Sequence, residues 1–153
     1  MHQLFLKGGP VMKLYKEDIK AILLHRDPFL LLDHVEIVSE NHAVGSMFLK
    51  ESGFYFQGHF DHKPIMPGVI MVEACAQTGA VLLLSKPKYK DQMSYFAGID
   101  KVRFKKWVYP NDTLITKVTL HHVKTTIGKA TIEAFVDDNL VLTGEILFTI
   151  QPK

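Results

Sequence analysis

The sequence lacks a second cysteine, because Cys75 is the only one among its 153 residues. It cannot form an internal disulfide, and its cysteine usage fits a reducing compartment, so we expect a cytoplasmic protein. A strong charge of one sign is also missing, since 18 basic and 16 acidic residues leave a net charge of +2. This balance gives no basis for nucleic-acid binding.

The sequence also lacks an apolar run long enough to span a membrane. The longest run extends from Gly68 to Leu84 and is interrupted by Glu73 and Gln77. A membrane span needs about 20 apolar residues without such interruptions. We therefore predict a buried helix and no membrane insertion. Internal repeats and low-complexity segments are missing too, and the length favours a single domain.

The first twelve residues, MHQLFLKGGPVM, lack the apolar core and the small-residue cleavage site of a secretory signal. Gly-Gly-Pro lies just before Met12. We therefore expect residues 1–12 to be an added leader or a flexible N-terminus, with Met12 as a candidate native start. Residues 13–153 are expected to form one domain.

Hydrophobic periodicity predicts the order of the secondary-structure elements. The first half has a short amphipathic helix, a hairpin of two strands and a long helix, at Tyr15–Leu24, Phe29–Val38, His42–Lys50 and Gly68–Leu84. The second half has three β-rich stretches, at Met93–Val108, Thr113–Thr125 and Ala130–Ile150. Turn residues separate them, including Ile127-Gly128 and Asp137-Asp138-Asn139.

This order favours an α+β fold in which a curved antiparallel sheet wraps around one long central helix. The helix is apolar on every side, so protein must surround it. One sheet around one helix leaves a free sheet edge and an open flank. A second copy of the chain would cover both, so we expect at least a homodimer.

Two polar residues beside the start of the long helix are the strongest candidates for catalysis. His59 lies in a loop that Pro64 and Pro67 restrict, next to Gly58, which allows close backbone approach. Imidazole suits proton transfer near neutral pH. Glu73 lies in an otherwise apolar helix turn, where desolvation favours the protonated acid. The alternatives are a surface histidine, and a glutamate that pairs with a basic residue or faces solvent.

The same helix carries two supporting features. Gln77 follows Glu73 by one helical turn, shares its face and can hydrogen-bond it. The N–H groups of Gly68, Val69 and Ile70, at the positive end of the helix dipole, suit a developing oxyanion. Every helix has such N-terminal donors, so they support the site only together with the two candidate side chains.

Three further groups of residues carry weaker signals. His59, Asp61 and His62 lie close together, but no second cluster of ligand spacing accompanies them, so no metal is expected. Cys75 is interpreted as a packing residue. Basic residues recur in DKVRFKKW, at Lys101, Arg103, Lys105 and Lys106. This run is either a solvated strand edge or a docking surface for an acidic partner.

The segment GHFDHKPIMPGVIMVEACAQ resembles the signature of the FabZ-type (3R)-hydroxyacyl-[acyl-carrier-protein] dehydratases of bacterial type II fatty-acid synthesis. The flanking segments HRDPFLLLDHV and YFAGIDKVRFKKWVYPNDTL also resemble that family, in the same order. The resemblance extends over Leu14–Ile150. It implies a hot-dog fold, a homodimer commonly assembled as a trimer of dimers, and a site that joins His59 of one chain to Glu73 of its partner.

The resemblance also implies the reaction. Water leaves a 3-hydroxyacyl group on acyl carrier protein, giving the trans-2-enoyl thioester for phospholipid or lipid A supply, with His59 as general base, Glu73 as general acid and no cofactor. Tyr95 matches a tyrosine that gates the acyl tunnel in some members, and the basic run would receive the acidic carrier protein. Related dehydratase–isomerases carry aspartate where this chain has Glu73. Asp61 departs from the family, where proline is frequent.

Two other functions fit the same features. A hot-dog thioesterase would hydrolyse an acyl thioester with a carboxylate and a water molecule. A non-catalytic acyl-binding module would use His59 and Glu73 only to hydrogen-bond each other across a dimer.

Overall fold

A computed structural model of the protein describes residues 11–153. Its strands are β1 (Met12–Tyr15), β2 (His34–Ile37), β3 (His42–Phe48), β4 (Gln92–Phe104), β5 (Thr113–Leu120), β6 (Ile127–Val136) and β7 (Asn139–Pro152). The helices are α1 (Lys16–Ile22) and α2 (Gly68–Leu84), with short 3₁₀ turns at Phe54–Phe56 and Pro87–Tyr89. The strands form one seven-stranded antiparallel sheet in the order β1-β2-β3-β5-β6-β7-β4. Most of the predicted leader lies outside the described residues.

The long helix α2 is the centre of the fold. It contacts β2, β3, β4, β5 and β6, so the sheet curves around it. Every residue from Gln77 to Leu83 is buried, which covers all sides of the helix. These observations confirm the α+β architecture and the predicted bounds of the helix. Within residues 11–153, no helix is long and apolar enough to cross a membrane.

A close approach between β3 and α2 sets the position of the helix. Gly45 pairs with Thr116 of β5, and the hydroxyl oxygens of Thr116 and Thr78 lie 2.6 Å apart in a buried hydrogen bond. A Cβ atom on Gly45 would overlap both hydroxyl groups. Glycine at this position therefore lets α2 lie close to the sheet.

The N-terminal part differs from the prediction in two places. Tyr15 belongs to strand β1, which pairs with β2, where we expected the start of a helix. The predicted strand Phe29–Val38 is shortened to β2, because only its last part pairs with neighbours. The preceding leucines, Leu30 to Leu32, are buried outside any strand. Their run of apolar residues reflects burial on every side, which periodicity cannot distinguish from a strand.

The turn predicted at Asp137-Asp138-Asn139 is confirmed as the tight turn of the β6–β7 hairpin. Val136 pairs with Asn139, and Asp137 and Asp138 have φ values of +48° and +62°. Positive φ at both central residues is typical of a type I′ turn, where Asp and Asn are favoured.

The turn predicted at Ile127-Gly128 is wrong, because both residues belong to β6. The chain reverses just before them, at Thr125, which has φ +56°. A bridge between Lys124 and Ile127 closes this turn. The glycine in this segment indicated a turn, yet it lies within the strand ladder.

Strand β4 lies at one end of the sheet and is poorly covered. None of its 13 residues is buried, and Phe96, Ile99 and Phe104 expose 44%, 55% and 53% of their surface. A long edge strand with exposed apolar side chains is a ready surface for association. Its position agrees with the expectation that a second copy of the chain covers a free edge.

The Gly45→Ala substitution is expected to lower the free energy of unfolding by about 1–3 kcal/mol, because an added methyl group overpacks the β3–α2 contact. Chemical denaturation of both proteins measures this difference. Gly79→Ala is the matched control, since its Cβ would meet only the Val118 Cγ1, at 3.3 Å. Equal losses of stability in the two variants would contradict this account of the β3–α2 contact.

Candidate active site

The loop that carries His59 is held by its own backbone hydrogen bonds. The His59 N–H donates to the Phe56 carbonyl at 3.2 Å, and the Met66 N–H donates to the Val108 carbonyl at 2.7 Å. Gly58 has φ +74°, which glycine adopts without strain. A Cβ on Gly58 would meet nothing within 4 Å. The predicted close approach at Gly58 is therefore wrong, and the positive φ is what favours glycine there.

The imidazole of His59 is oriented by the same loop. Its Nδ1 lies 2.8 Å from the Ile65 carbonyl oxygen. A carbonyl oxygen only accepts hydrogen bonds, so Nδ1 carries the proton and, in the neutral ring, Nε2 carries the lone pair. Nε2 is therefore the atom that can accept a proton from a bound molecule.

His59 lines a wide pocket of about 370 Å³, here called the His59 pocket. The start of α2 forms one wall through Gly68 and Val69, and the end of β4 contributes Phe104. Val69 is 73% exposed in the single chain, although the rest of α2 is well covered. Phe60, Phe104 and Trp107, which line the same pocket, are also exposed, and such an apolar patch indicates a surface that a substrate or a second subunit covers.

The first turn of α2 contains the three predicted N–H donors, at Gly68, Val69 and Ile70. Residues at a helix start have no carbonyl four positions earlier in the helix to accept their N–H groups. The Ile70 N–H donates to the Pro67 carbonyl at 3.1 Å, so the prediction that it is free is wrong. Gly68 and Val69 are the first two residues of the helix, and both line the His59 pocket.

Glu73 lines a different, narrower pocket of about 70 Å³, here called the Glu73 cleft. Its walls are mostly apolar and come from α2 and the sheet, including Ala76, Ala80, Leu83, Leu120, Ile146 and Phe148. Tyr95 and Phe96 of β4 also line it. The cleft has the apolar lining that an acyl chain requires, with few polar groups.

The carboxylate of Glu73 has two polar neighbours. The Gln77 Nε2 donates to Glu73 Oε1 at 3.1 Å, which is the contact expected from their spacing. The His25 Nε2 lies 3.4 Å from the same oxygen. Sequence reasoning missed His25, because it precedes Glu73 by 48 residues and its local pattern indicated only the end of a helix.

Gln77 connects Glu73 to the buried segment after α1. It is 1% exposed. Its Oε1 accepts from the Leu31 N–H at 3.0 Å, and its Nε2 also donates to the Phe29 carbonyl at 2.8 Å. These two contacts fix which end of the amide is the donor, so Gln77 must donate to Glu73.

The two candidate catalytic residues lie in separate pockets of the single chain. The residues that line the His59 pocket and the Glu73 cleft do not overlap. A reaction that needs both side chains at one substrate therefore needs either a conformational change or a second copy of the chain.

The other chemistry-bearing groups form no second site within residues 11–153. Cys75 is fully buried, and burial raises the pKa of its thiol from 9.0 to about 12. The reactive thiolate is therefore scarce near neutral pH, as expected of a packing residue. In the same residues, no group of three or more His, Cys, Asp or Glu side chains could hold a metal ion.

The basic run lies on and just beyond the exposed end of β4. Lys101 has its Nζ 3.9 Å from Glu145 Oε1, and Arg103 donates to the neighbouring Val102 carbonyl at 3.0 Å. Lys105 and Lys106 follow the end of the strand and are exposed. Lys106 also lines the His59 pocket, so positive charge lies beside its opening.

Solved structures share this architecture. The dehydratase heterocomplex ApeI:P from Xenorhabdus doucetiae aligns with a TM-score of 0.75 and 21% identity, over 88% of this chain and 91% of that chain. The E. coli PaaI protein of the phenylacetic acid degradation operon aligns with a TM-score of 0.60 and 16% identity, over 75% of this chain and 80% of that chain. The fold, a long helix wrapped by a curved antiparallel sheet, is a hot-dog fold.

The family is shown by closer similarities. The family model of the FabA-like domain matches residues 23–145. The 3-hydroxyacyl-[acyl-carrier-protein] dehydratase FabZ of Roseiflexus sp. (strain RS-1) is 49% identical over 138 residues, which are 90% of this chain and 96% of that protein. The same enzyme of Clostridium perfringens (strain SM101 / Type A) is 47% identical over 87% of this chain and 96% of that protein. The chain belongs to the FabA-like family and, within it, to the FabZ type.

Proposed function

We propose that this protein removes water from a 3-hydroxyacyl group carried on acyl carrier protein, giving the trans-2-enoyl thioester in fatty-acid synthesis. The observation that carries this proposal is the state of His59. Its Nδ1 donates to the Ile65 carbonyl oxygen, 2.8 Å away, so Nε2 of the neutral ring carries the lone pair and can act as a general base. The high identity to FabZ enzymes over most of the chain supports the same reaction.

The elimination moves two protons in opposite directions. Nε2 of His59 takes the proton from C2, and the electrons of that C–H bond form the double bond between C2 and C3. The C3–O bond breaks, and Glu73 gives its proton to the departing hydroxyl, which leaves as water. Histidinium and carboxylate then exchange a proton through solvent. This is acid–base chemistry, which requires neither a metal nor a redox cofactor.

The start of α2 is proposed to stabilise the charge that develops on the thioester oxygen. The N–H groups of Gly68 and Val69 lie at the positive end of a helix of 17 residues, beside the pocket that holds His59. Donors arranged before the reaction stabilise an oxyanion without reorganisation, and removal of one such donor typically costs about 10²–10³ in rate.

A second copy of the chain is proposed to complete the site. His59 and Glu73 lie in separate pockets of one chain, while β4, with its exposed apolar residues, lines the Glu73 cleft through Tyr95 and Phe96. Association along β4 would bring the His59 pocket of one chain to the Glu73 cleft of the other. The assembly of three such dimers into a hexamer remains a prediction from the sequence. So does the cytoplasmic location.

The carrier protein is proposed to dock at the basic run of Lys101, Arg103, Lys105 and Lys106. These exposed cations lie at the end of β4, beside the His59 pocket. Complementary charge speeds the encounter with an acidic partner. Tyr95 is proposed to control entry of the acyl chain, because it is 49% exposed and lines the Glu73 cleft.

His59→Ala and Glu73→Gln are each expected to reduce kcat by about two to four orders of magnitude, because each removes one partner of the proton transfer. Absorbance of the enoyl product, formed from a 3-hydroxyacyl thioester, measures the rate, and circular dichroism checks the fold. Near-normal turnover in either folded variant would overturn the assignment. Release of a free thiol without enoyl product by the unmodified protein would instead indicate a thioesterase.

Mixed oligomers of the two variants are expected to recover activity. In a dimer of one His59→Ala chain and one Glu73→Gln chain, one site combines intact His59 with intact Glu73 if the partners act across the interface. One of the two sites in the mixed dimer works, so the purified mixed dimer should recover about half of the original activity, and an unfractionated random mixture about a quarter. Co-expression with two affinity tags isolates the mixed oligomer. Activity no higher than that of the parent variants would contradict a shared site.

The double variant Arg103→Glu/Lys105→Glu is expected to raise KM for the carrier-bound substrate about tenfold, because it reverses charge at the docking surface. When the same acyl group is carried on N-acetylcysteamine, a small thioester substrate without carrier protein, KM should stay unchanged. Lys88→Glu/Lys90→Glu, with an equal charge change after α2, is the matched control. Similar effects of the two double variants, or loss with the small substrate as well, would contradict docking at β4.

A further inference from the structure

His25 lies beside Glu73 in the cleft, although its neighbours in sequence mark only the end of α1. Its Nε2 is 3.4 Å from Glu73 Oε1, and the two side chains are 33% and 17% exposed. This distance is longer than that of a well-formed hydrogen bond. Catalytic contacts of this length often tighten when the substrate is bound. The ring also stacks on Phe29, with centroids 6.4 Å apart and planes 14° apart.

The other ring nitrogen of His25 fixes where its proton lies. Among the side-chain atoms of residues 11–153, His25 Nδ1 is the only buried nitrogen or oxygen without a hydrogen-bond partner. A proton on Nδ1 would be a buried donor without an acceptor, whereas a proton on Nε2 points at Glu73 Oε1. The proton of the neutral ring therefore belongs on Nε2, which faces Glu73.

Gln77 and His25 both contact the same oxygen of Glu73, Oε1. Gln77 must donate to Oε1, because its amide is oriented by the backbone of residues 29 and 31. His25, with its proton on Nε2, also points a donor at Oε1. A carboxyl group that accepts two hydrogen bonds on one oxygen carries its acid proton on the other oxygen.

We propose that His25 is a positioning residue for Glu73, an inference that rests on the proposed dehydratase function. With Gln77, it holds Oε1 in the accepting role and leaves the acid proton on Oε2, where the departing hydroxyl of the substrate can take it. His25 also keeps this geometry after the proton has left, because Oε1 continues to accept from both donors.

A role as a proton relay does not suit His25. A relay through imidazole needs both ring nitrogens in contact with groups that exchange protons, and Nδ1 is buried without a partner. The other titratable group in the cleft, Tyr95, donates its hydroxyl to Met93 Sδ at 3.5 Å. The contact to Glu73 Oε1 is therefore the one through which His25 can act.

Two substitutions separate the donor from the packing of the ring. His25→Phe keeps an aromatic ring that can stack on Phe29 but removes the N–H. His25→Gln removes the ring, yet its Nε2 is the same number of bonds from Cβ as the Nε2 of histidine. Rates are measured with 3-hydroxyacyl carrier protein and by appearance of the enoyl product, and melting temperatures report on the fold.

For His25→Phe we expect kcat to fall about fivefold to tenfold, the effect of one hydrogen bond, with KM within about twofold of the original. His25→Gln should restore kcat to within about twofold. In a Glu73→Gln background, His25→Phe should have almost no further effect on the residual rate, because the acid through which it acts is gone.

The outcomes distinguish the two proposals. An unmodified protein that forms no enoyl product overturns the dehydratase function and, with it, the role of His25. An active protein whose His25→Phe variant keeps full kcat overturns only the role of His25. The role of His25 is also overturned if kcat falls in parallel with the melting temperature in both His25→Phe and His25→Gln. It is overturned as well if His25→Phe lowers the rate equally in the Glu73→Gln background. In either case, lost packing alone would explain the effect.

Discussion

The buried side-chain amide of Gln77 connects the scaffold of this protein to the candidate catalytic residue Glu73. Gln77, in the middle of α2, uses its carboxamide oxygen for the Leu31 N–H and its nitrogen for the Phe29 carbonyl and Glu73. The segment at residues 29–33 forms no strand, so a side chain satisfies backbone groups that a neighbouring strand would otherwise bind. The same amide sets the orientation of the carboxyl group. Leaving either backbone group unpaired in the interior would cost about 1–3 kcal/mol.

The central helix serves both halves of the candidate site. Its first residues, Gly68 and Val69, line the His59 pocket, while Glu73, about one turn further along, lines the other pocket. In a single chain the two candidate side chains therefore line two separate pockets. The exposed edge strand β4 and the exposed Val69 explain why a second copy is proposed. Oligomerisation would then be part of the catalytic design as well as a source of stability.

Sequence reasoning succeeded where a local pattern has one physical solution. The apolar run from Gly68 to Leu84, broken only by Glu73 and Gln77 among strongly polar residues, requires a buried helix, and Asp137-Asp138 between two β patterns requires a tight turn. The spacing of Glu73 and Gln77 requires a shared helix face. Prediction from sequence failed where a segment is buried by residues that are distant from it in the chain. The leucine run at residues 30–32 resembles a strand, and Ile127-Gly128 resembles a turn, because neither pattern reveals its neighbours in space.

The sequence by itself determined the class of fold, the central helix, the pair His59 and Glu73 as candidates, and the family resemblance. The fold class and the helix follow from local periodicity. His59 was chosen for its restricted loop and its imidazole, and Glu73 because a carboxyl group is costly to place in an apolar environment. The resemblance rests on the matched segments around them. Only the tertiary structure decided that His25 lies against Glu73, that Ile65 holds Nδ1 of His59, and that the two candidates open into separate pockets. Contacts between residues far apart in the chain depend on how the sheet curves around the helix, and no short stretch of sequence encodes that curvature.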